Sequence, residues 1–434
     1  MILAGSMEIN TKGNLEIGGC DTVELARQFG TPLFVMDEAL IRNNCRRYVN
    51  ALKTHYPRGM VLFAGKAFLT LAMSRLIQEE NMGMDVVSGG ELFTAVNADF
   101  PAERIYFHGN NKSTRELIDA IKLGVGRIVV DSVPELEEIR ELAVQFAENK
   151  VAVLLRVKPG VEAHTHDFIR TGQEDSKFGF GIEDNSAREA VELCLQAADI
   201  IDLAGFHCHI GSQIFQLEPF SVAAQIMVEF MAGVREQTGF VARELDLGGG
   251  LGIRYQREDK PPSIERFVEN LALSLKSALQ KWDYPLPELL LEPGRSITGE
   301  AGVTLYTVGV IKDVPGIRRY VSVDGGMMDN IRPALYQAQY EAAICNKMTR
   351  EPGEIVTLAG KACESGDILI KDIELPAAES GDIVAVFSTG AYCYSMSSNY
   401  NRNPRPAVIF VRDGEPRIVV RRESYEDLIA LDVL

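Results

Sequence analysis

Between residues 61 and 295 the chain repeats one pattern: a short, nearly continuous apolar run, then a longer stretch with apolar residues three and four apart. The runs are VLFAGK (61–66), MDVVSGG (84–90), RIYFHGN (104–110), RIVVDS (127–132), VAVLLRV (151–157), LAGFHCHIGS (203–212), ELDLGGG (244–250) and ELLLEPGR (288–295). Apolar residues at consecutive positions mean a strand buried on both faces. The segments between them, such as LTLAMSRLIQEE, TRELIDAIKL and PELEEIRELAVQF, carry the period of helices. Strands separated by helices pair in parallel. Eight such units in about 235 residues fit a closed (β/α)8 barrel. A doubly wound open sheet shares the periodicity and is the alternative.

The ends of the runs favour the barrel. Nearly every run finishes in polar or glycine residues: Lys66, Asp85, His108, Asp131, Arg156, His209, glycines 248–250, and Glu292 to Arg295. In a barrel the loops after the strands converge on one rim, where chemistry collects. After residue 300 the texture changes to β-branched runs (VTLYTVGVI, RRYVSV, EIVTLAG, DIVAVFS, AVIFV, RIVV) separated by Pro, Gly and Asp turns, which predicts an all-β domain. The first 34 residues hold one short strand and one helix, too little to fold alone, and are expected to pack with that domain. The expected division is therefore a barrel over 35–295 and a β domain of 1–34 with 296–434.

Composition narrows the function. A net charge of −17 argues against nucleic acid or an anionic membrane as partner, although a small basic pocket for an anionic metabolite remains compatible with it. No apolar run reaches the roughly 20 residues of a membrane span. The start, MILAGSMEINTKGN, lacks the basic and apolar regions of a secretory signal. Seven cysteines without a Cys-x-x-Cys pair read as reduced thiols of a soluble cytoplasmic protein. GGGLGIRY lacks the spacing of a dinucleotide fingerprint, and no phosphate-binding G-x-x-x-x-G-K-[ST] exists. His164 with His166, and His207 with His209, lie two apart, but no cysteine or carboxylate cluster completes a ligand set, so no metal is expected.

Four rim segments combine. Lys66 of FAGKAF closes an apolar strand; such a lysine either snorkels to solvent or turns inward, where a lowered pKa lets it form a Schiff base. GFHCHIGSQ puts His209, Gly211 and Ser212 at the mouth of the sixth strand, an imidazole to stack on a flat ring and a hydroxyl to meet a phosphate. The glycines of LDLGGGLGI let backbone amides approach an anion closely, and a barrel's phosphate site is frequently formed after strands seven and eight. In LLLEPGRS, Glu292 is placed to face a pyridine nitrogen and keep it protonated, while the amides of Gly294 and Arg295 complete the cradle.

On these residues the chain resembles the fold-type III pyridoxal-phosphate decarboxylases, over essentially its whole length, and within them the subgroup that acts on meso-diaminopimelate. The resemblance implies a barrel with a C-terminal β domain, pyridoxal 5'-phosphate on Lys66, and a head-to-tail homodimer with active sites shared between subunits. It implies Asp85, His209, Ser212, Gly249, Gly250, Glu292, Pro293, Gly294, Arg295 and Tyr392 as cofactor-binding positions. For the amino-acid substrate it implies Arg295, Arg332, Tyr336, Tyr392 and Glu364, the last supplied with Cys363 by the partner subunit, and Cys363 or a water beside it as proton donor. A second carboxylate on the substrate needs a guanidinium fork, which enzymes forming simple diamines have no use for. HGNNKS (108–113) and the segment 162–181 also resemble this subgroup, and FAGKAF departs from the commoner YASKA wording only beside the lysine. The expected reaction is conversion of meso-diaminopimelate to L-lysine and carbon dioxide. The rivals are a decarboxylase of ornithine, lysine or arginine, which Arg332 speaks against, and an amino-acid racemase, which Glu292 speaks against. A non-enzymatic pyridoxal-phosphate carrier would be a lone barrel without the further 130 or so residues (a fold-level comparison).

Overall fold

A computed structural model describes residues 3–161 and 176–434. His164, His166 and most of the segment 162–181 lie outside the described residues. The chain forms two compact units: Asn44–Gly252 with Pro261–Gly294, and Met1–Asn43 with Ile253–Lys260 and Arg295–Leu434.

The first unit is the barrel. Its strands are β1 (Gly59–Ala64), β2 (Gly83–Val86), β3 (Ile105–Phe107), β4 (Arg127–Val130), β5 (Val151–Lys158), β6 (Ile201–His207), β7 (Glu244–Asp246) and β8 (Glu288–Leu291). Each pairs in parallel with the next, and β8 returns to β1, so the sheet closes and the open-sheet alternative falls. All eight are the apolar runs read from the sequence. Leu62, Tyr106, Val129, Leu154, Ala204 and Leu290, from six different strands, pack into one buried cluster. Strands arranged in a ring can meet that way only inside it, so the barrel is a filled core, each large side chain contributing about 1.5–3 kcal/mol by burial. At the opposite end from the rim, Arg127 at the start of β4 pairs with Glu244 at the start of β7.

Short polar signals start the helices where strands end. Ser88, Ser113 and Ser132 cap the helices after β2, β3 and β4, each accepting the amide hydrogen of a glutamate three residues on. Glu116 reaches back to its own cap amide, a capping box. Glu91 and Glu135 reach one residue further, to the amides of Val87 and Asp131, and so tie down the rim itself.

The second unit is built on the strand Gly302–Val314, which pairs antiparallel with Arg318–Val323, Ile383–Val386 and Leu33–Asp37. Its sheet continues through Glu354–Ala359 and Ile368–Leu375 on one side, and Ala407–Arg412 and Glu415–Val420 on the other. Leu15, Ile17 and Leu25 from the N-terminal segment share a core with Val35, Leu305 and Ile409. The division differs from the expected boundary at 35. Leu33–Asp37 is buried at every position and hydrogen-bonded on both edges within this sheet, so it belongs with the β unit, as do residues 253–260. Among the described residues no helix is long and apolar enough to cross a membrane.

Candidate active site

At the end of β1 one turn of 3-10 helix, Gly65–Ala67, presents Lys66. Its Nζ lies 3.3 Å from Oδ2 of Asp85 on β2, which is wholly buried. Lys66 itself keeps 39% of its side chain exposed.

Glu292 follows β8 and is buried. Its Oε2 lies 3.3 Å from Nε2 of His207, the last residue of β6. Its Oε1 lies 2.7 Å from Nε2 of His108, just past β3, but off the line of a hydrogen bond, so both atoms keep an unsatisfied direction. The two imidazoles meet edge to face with centroids 4.8 Å apart. Burial pushes the Glu292 carboxyl up, yet His108 and His207 outweigh it and hold the group ionised, well below the usual carboxylate range. Burial pulls His207 down to about 4 against the pull of Glu292, so near pH 7 it acts on Glu292 through the hydrogen bond of its Nε2 rather than through a charge of its own. Asp246, last on β7, accepts the amide hydrogen of Gly248 at 2.8 Å. Burial, then the charge on Glu292, raise its carboxyl well above the ordinary value. Two neighbouring carboxyls cannot both ionise in such a place, and here Glu292 carries the charge. Donor atoms of His108, His207, Asp246 and Glu292 all fall within 4.8 Å of one another, a grouping that the sequence spacing, read for metals, did not reveal.

The glycine loop after β7 closes the rim. A Cβ on Gly249 would stand 2.1 Å from the carbonyl oxygen of Glu292, and one on Gly250, where φ is +117°, 2.5 Å from that of Gly211. Only glycine lets these loops lie backbone to backbone. The Gly249 amide donates to His209 Nδ1 at 3.3 Å. Burial, then the charges of Lys66 and Arg156, keep the His209 ring far below its ordinary pKa, hence neutral. The Ile214 amide donates to the Gly250 carbonyl, which draws the Ser212 loop alongside the glycines. Pro293 accepts from the Ala64 amide, and a Cβ on Gly294 would meet that of Ala67 at 2.9 Å, so the loop after β8 is seated against the turn that carries Lys66. Lys66, Asp85, His209, Gly249, Gly250, Glu292, Pro293 and Gly294 are thus gathered on one rim.

The β unit holds a second cluster. Arg295 and Arg332 are buried, and each donates from Nη1 to the same Tyr255 hydroxyl oxygen, at 2.5 and 2.9 Å. Arg332 Nη1 also reaches the Tyr340 hydroxyl at 2.5 Å, and Tyr340 lies 3.7 Å from Cys393 Sγ. The Tyr392 ring stacks on the Arg295 guanidinium at 4.8 Å, from a backbone held at φ +61°. Such a conformation costs a non-glycine residue about 1 kcal/mol or more and collects at functional sites. Tyr336 borders Arg332 at 6.0 Å. Cys363 and Glu364 sit apart in an exposed loop between Glu354–Ala359 and Ile368–Leu375, the Cys363 amide bound to Asn401. The other six cysteines are buried.

Sequence reasoning missed His108, His207 and Asp246 as partners of Glu292, and Tyr255 and Tyr340 as partners of the arginines. A signal existed for the first three: each is the last residue of its strand or the next one, where barrel side chains turn to the rim. For the tyrosines no spacing pointed the way.

A family model described as "Pyridoxal-dependent decarboxylase, pyridoxal binding domain" matches residues 39–299. The chain is 51% identical over 433 residues to a diaminopimelate decarboxylase of Bacillus subtilis, covering 100% of this chain and 98% of that one. Among solved structures, diaminopimelate decarboxylase of M. jannaschii in complex with L-lysine superposes with a TM-score of 0.91 at 36% identity, over 99% of this chain and 98% of that one. That of Helicobacter pylori with L-lysine gives 0.84 at 33%, over 95% and 99%. On the family model and on relatives matched over nearly the full length, the chain belongs to the pyridoxal-dependent decarboxylases and, within them, to the diaminopimelate decarboxylases.

Proposed function

We propose that the protein decarboxylates meso-2,6-diaminopimelate to L-lysine and carbon dioxide with pyridoxal 5'-phosphate as cofactor. The observation that carries this reading is Glu292, a buried carboxylate held ionised with one oxygen unsatisfied, on the same rim as Lys66. The donor set fits the cofactor. Lys66 would hold it covalently, Glu292 would face its ring nitrogen, His209 would cover the ring, and Ser212 with the Gly249, Gly250 and Gly294 amides would take its phosphate. When bound, it supplies an electron sink for the pair left behind as carbon dioxide departs.

The chain's own residues do the rest. Against the cost of burial, His108 and His207 keep Glu292 negatively charged, so that it would face the ring nitrogen as a carboxylate. Asp85 orients the Lys66 amine so that it can leave and return as substrate and product exchange. Arg295 and Arg332 take the distal carboxylate, and Glu364 the distal ammonium. Cys363, or a water beside it, returns a proton to the α-carbon. Cys363 is exposed, which suits a group offered to a neighbouring subunit in a cytoplasmic homodimer. The relatives of known name, and lysine bound in two of the solved structures, support this substrate and product. The test is to incubate purified protein with the cofactor and meso-diaminopimelate and assay lysine and carbon dioxide; turnover of ornithine or arginine in preference would overturn the substrate.

A further inference from the structure

Resting on the function proposed above, in which Arg295 and Arg332 take the distal carboxylate, we propose that Tyr255 is a specificity-determining residue: its hydroxyl clamps the two guanidiniums side by side and donates its own hydrogen to the carboxylate they bind.

The case starts with charge. Guanidinium groups stay protonated in proteins, and these two are only 6% and 7% exposed. Among the described residues no carboxylate forms an ion pair with Arg332; its side-chain partners are the hydroxyls of Tyr255 and Tyr340. A buried cation met only by neutral oxygens is an incomplete site, which a bound anion completes. Both Nη1 atoms donate to the one Tyr255 oxygen, so they stand within two hydrogen-bond lengths of each other. Held this way against their mutual repulsion, the two guanidiniums lie side by side, where one carboxylate can be met by both.

The hydroxyl has a second part to play. A phenol oxygen has two lone pairs and one hydrogen. Both lone pairs of Tyr255 are occupied by the arginines, so its hydrogen must go to a further acceptor, and among the described residues it meets none. The ring cannot swing away in search of one: Tyr255 is 7% exposed and packs edge to face on Tyr340 at 5.3 Å. A carboxylate, with about four acceptor directions, can take this hydrogen together with guanidinium hydrogens that do not point at Tyr255. A substrate that ends in an ammonium without a second carboxylate leaves the Tyr255 hydrogen without an acceptor and sets a third positive charge beside the two guanidiniums, which is how such a site rejects it.

The test is Tyr255→Phe, assayed as holoenzyme beside wild type. The ring and its packing remain, and the clamp and the third donor go. KM for meso-diaminopimelate is expected to rise about tenfold to a hundredfold, with kcat within about threefold (an interaction felt equally in ground and transition states) and the visible absorbance of the bound cofactor unchanged. An unchanged KM overturns the inference, and so does loss of the cofactor absorbance, which would put Tyr255 in the cofactor's site. Where circular dichroism finds Tyr255→Phe unfolded, Tyr255→Met is read by the same criteria. Failure of the inference is distinct from failure of the function: a wild-type enzyme that makes no lysine from diaminopimelate overturns both, whereas one that does, beside a variant of unaltered KM, overturns only the role of Tyr255.

Discussion

Lys66 Nζ donates to Asp85 Oδ2 at 3.3 Å, with the lysine side chain partly open to solvent and the aspartate carboxylate wholly buried. A flexible amine tethered at its root by a fixed charge can be displaced and recaptured without being lost to solvent, which is what a covalent carrier of a cofactor needs.

Lys66→Ala removes that amine. Turnover is expected to fall by about a thousandfold or more, on the scale seen when a covalent catalyst is deleted, together with the visible absorbance of the lysine-bound cofactor. Spectra and lysine assays on the same preparation check both; activity retained without the amine would place the attachment point elsewhere.

His207 makes stability depend on pH in a direction opposite to a typical paired histidine. Its folded pKa is about 4 against an ordinary 6.5, so below about 6.5 the unfolded chain takes a proton that the native ring refuses. Stability is therefore fully present above that pH and is lost as pH falls toward 4, by on the order of 2 kcal/mol at pH 5. Other buried carboxyls titrate too, so the comparison to make is with His207→Gln, which keeps a donor for Glu292 but does not titrate. Urea denaturation at pH 7 and pH 5 should find wild type losing more stability than the variant; equal losses would mean His207 is not the group responsible.

Arg332→Ala is expected to raise KM for diaminopimelate about tenfold to a hundredfold or more, the range for charge-assisted hydrogen bonds. Cofactor content should stay at the wild-type level, because the residues proposed to hold the cofactor's ring and anchor it are on the barrel rim. Cofactor lost along with substrate affinity would show that Arg332 has been assigned to the wrong ligand.

Mixed subunits test the shared site. Lys66→Ala and Cys363→Ala proteins, each inactive alone, should regain up to about a quarter of wild-type activity after random exchange into a two-fold dimer. Exchange is followed with a tagged subunit. No recovery once exchange is complete would mean that each chain builds its site from its own residues.

Much of this was legible in one dimension. The eight barrel strands were readable because burial on both faces leaves an unbroken apolar run, and the rim was readable because each run ends in a polar or glycine residue. Lys66, Glu292 and the three glycines could be placed on the rim because their position is local: the end of a strand, the turn after it, a backbone that must touch another backbone. The boundary was less legible. LFVMD is apolar enough for either unit, and only its hydrogen-bond partners at 302–305 and 407–411 assign it to the β sheet.

What tertiary structure alone decided is which charges exist and which groups share them. That Glu292 is ionised while Asp246 is neutral depends on His108 and His207 arriving from β3 and β6, 85 residues or more away in the chain for each pairing. That Tyr255 joins Arg295 to Arg332 depends on side chains 40 and 77 residues from it meeting at one oxygen. Periodicity reports which face of an element is buried; it carries no information on what distant groups meet there, and in a buried site those meetings set protonation and affinity.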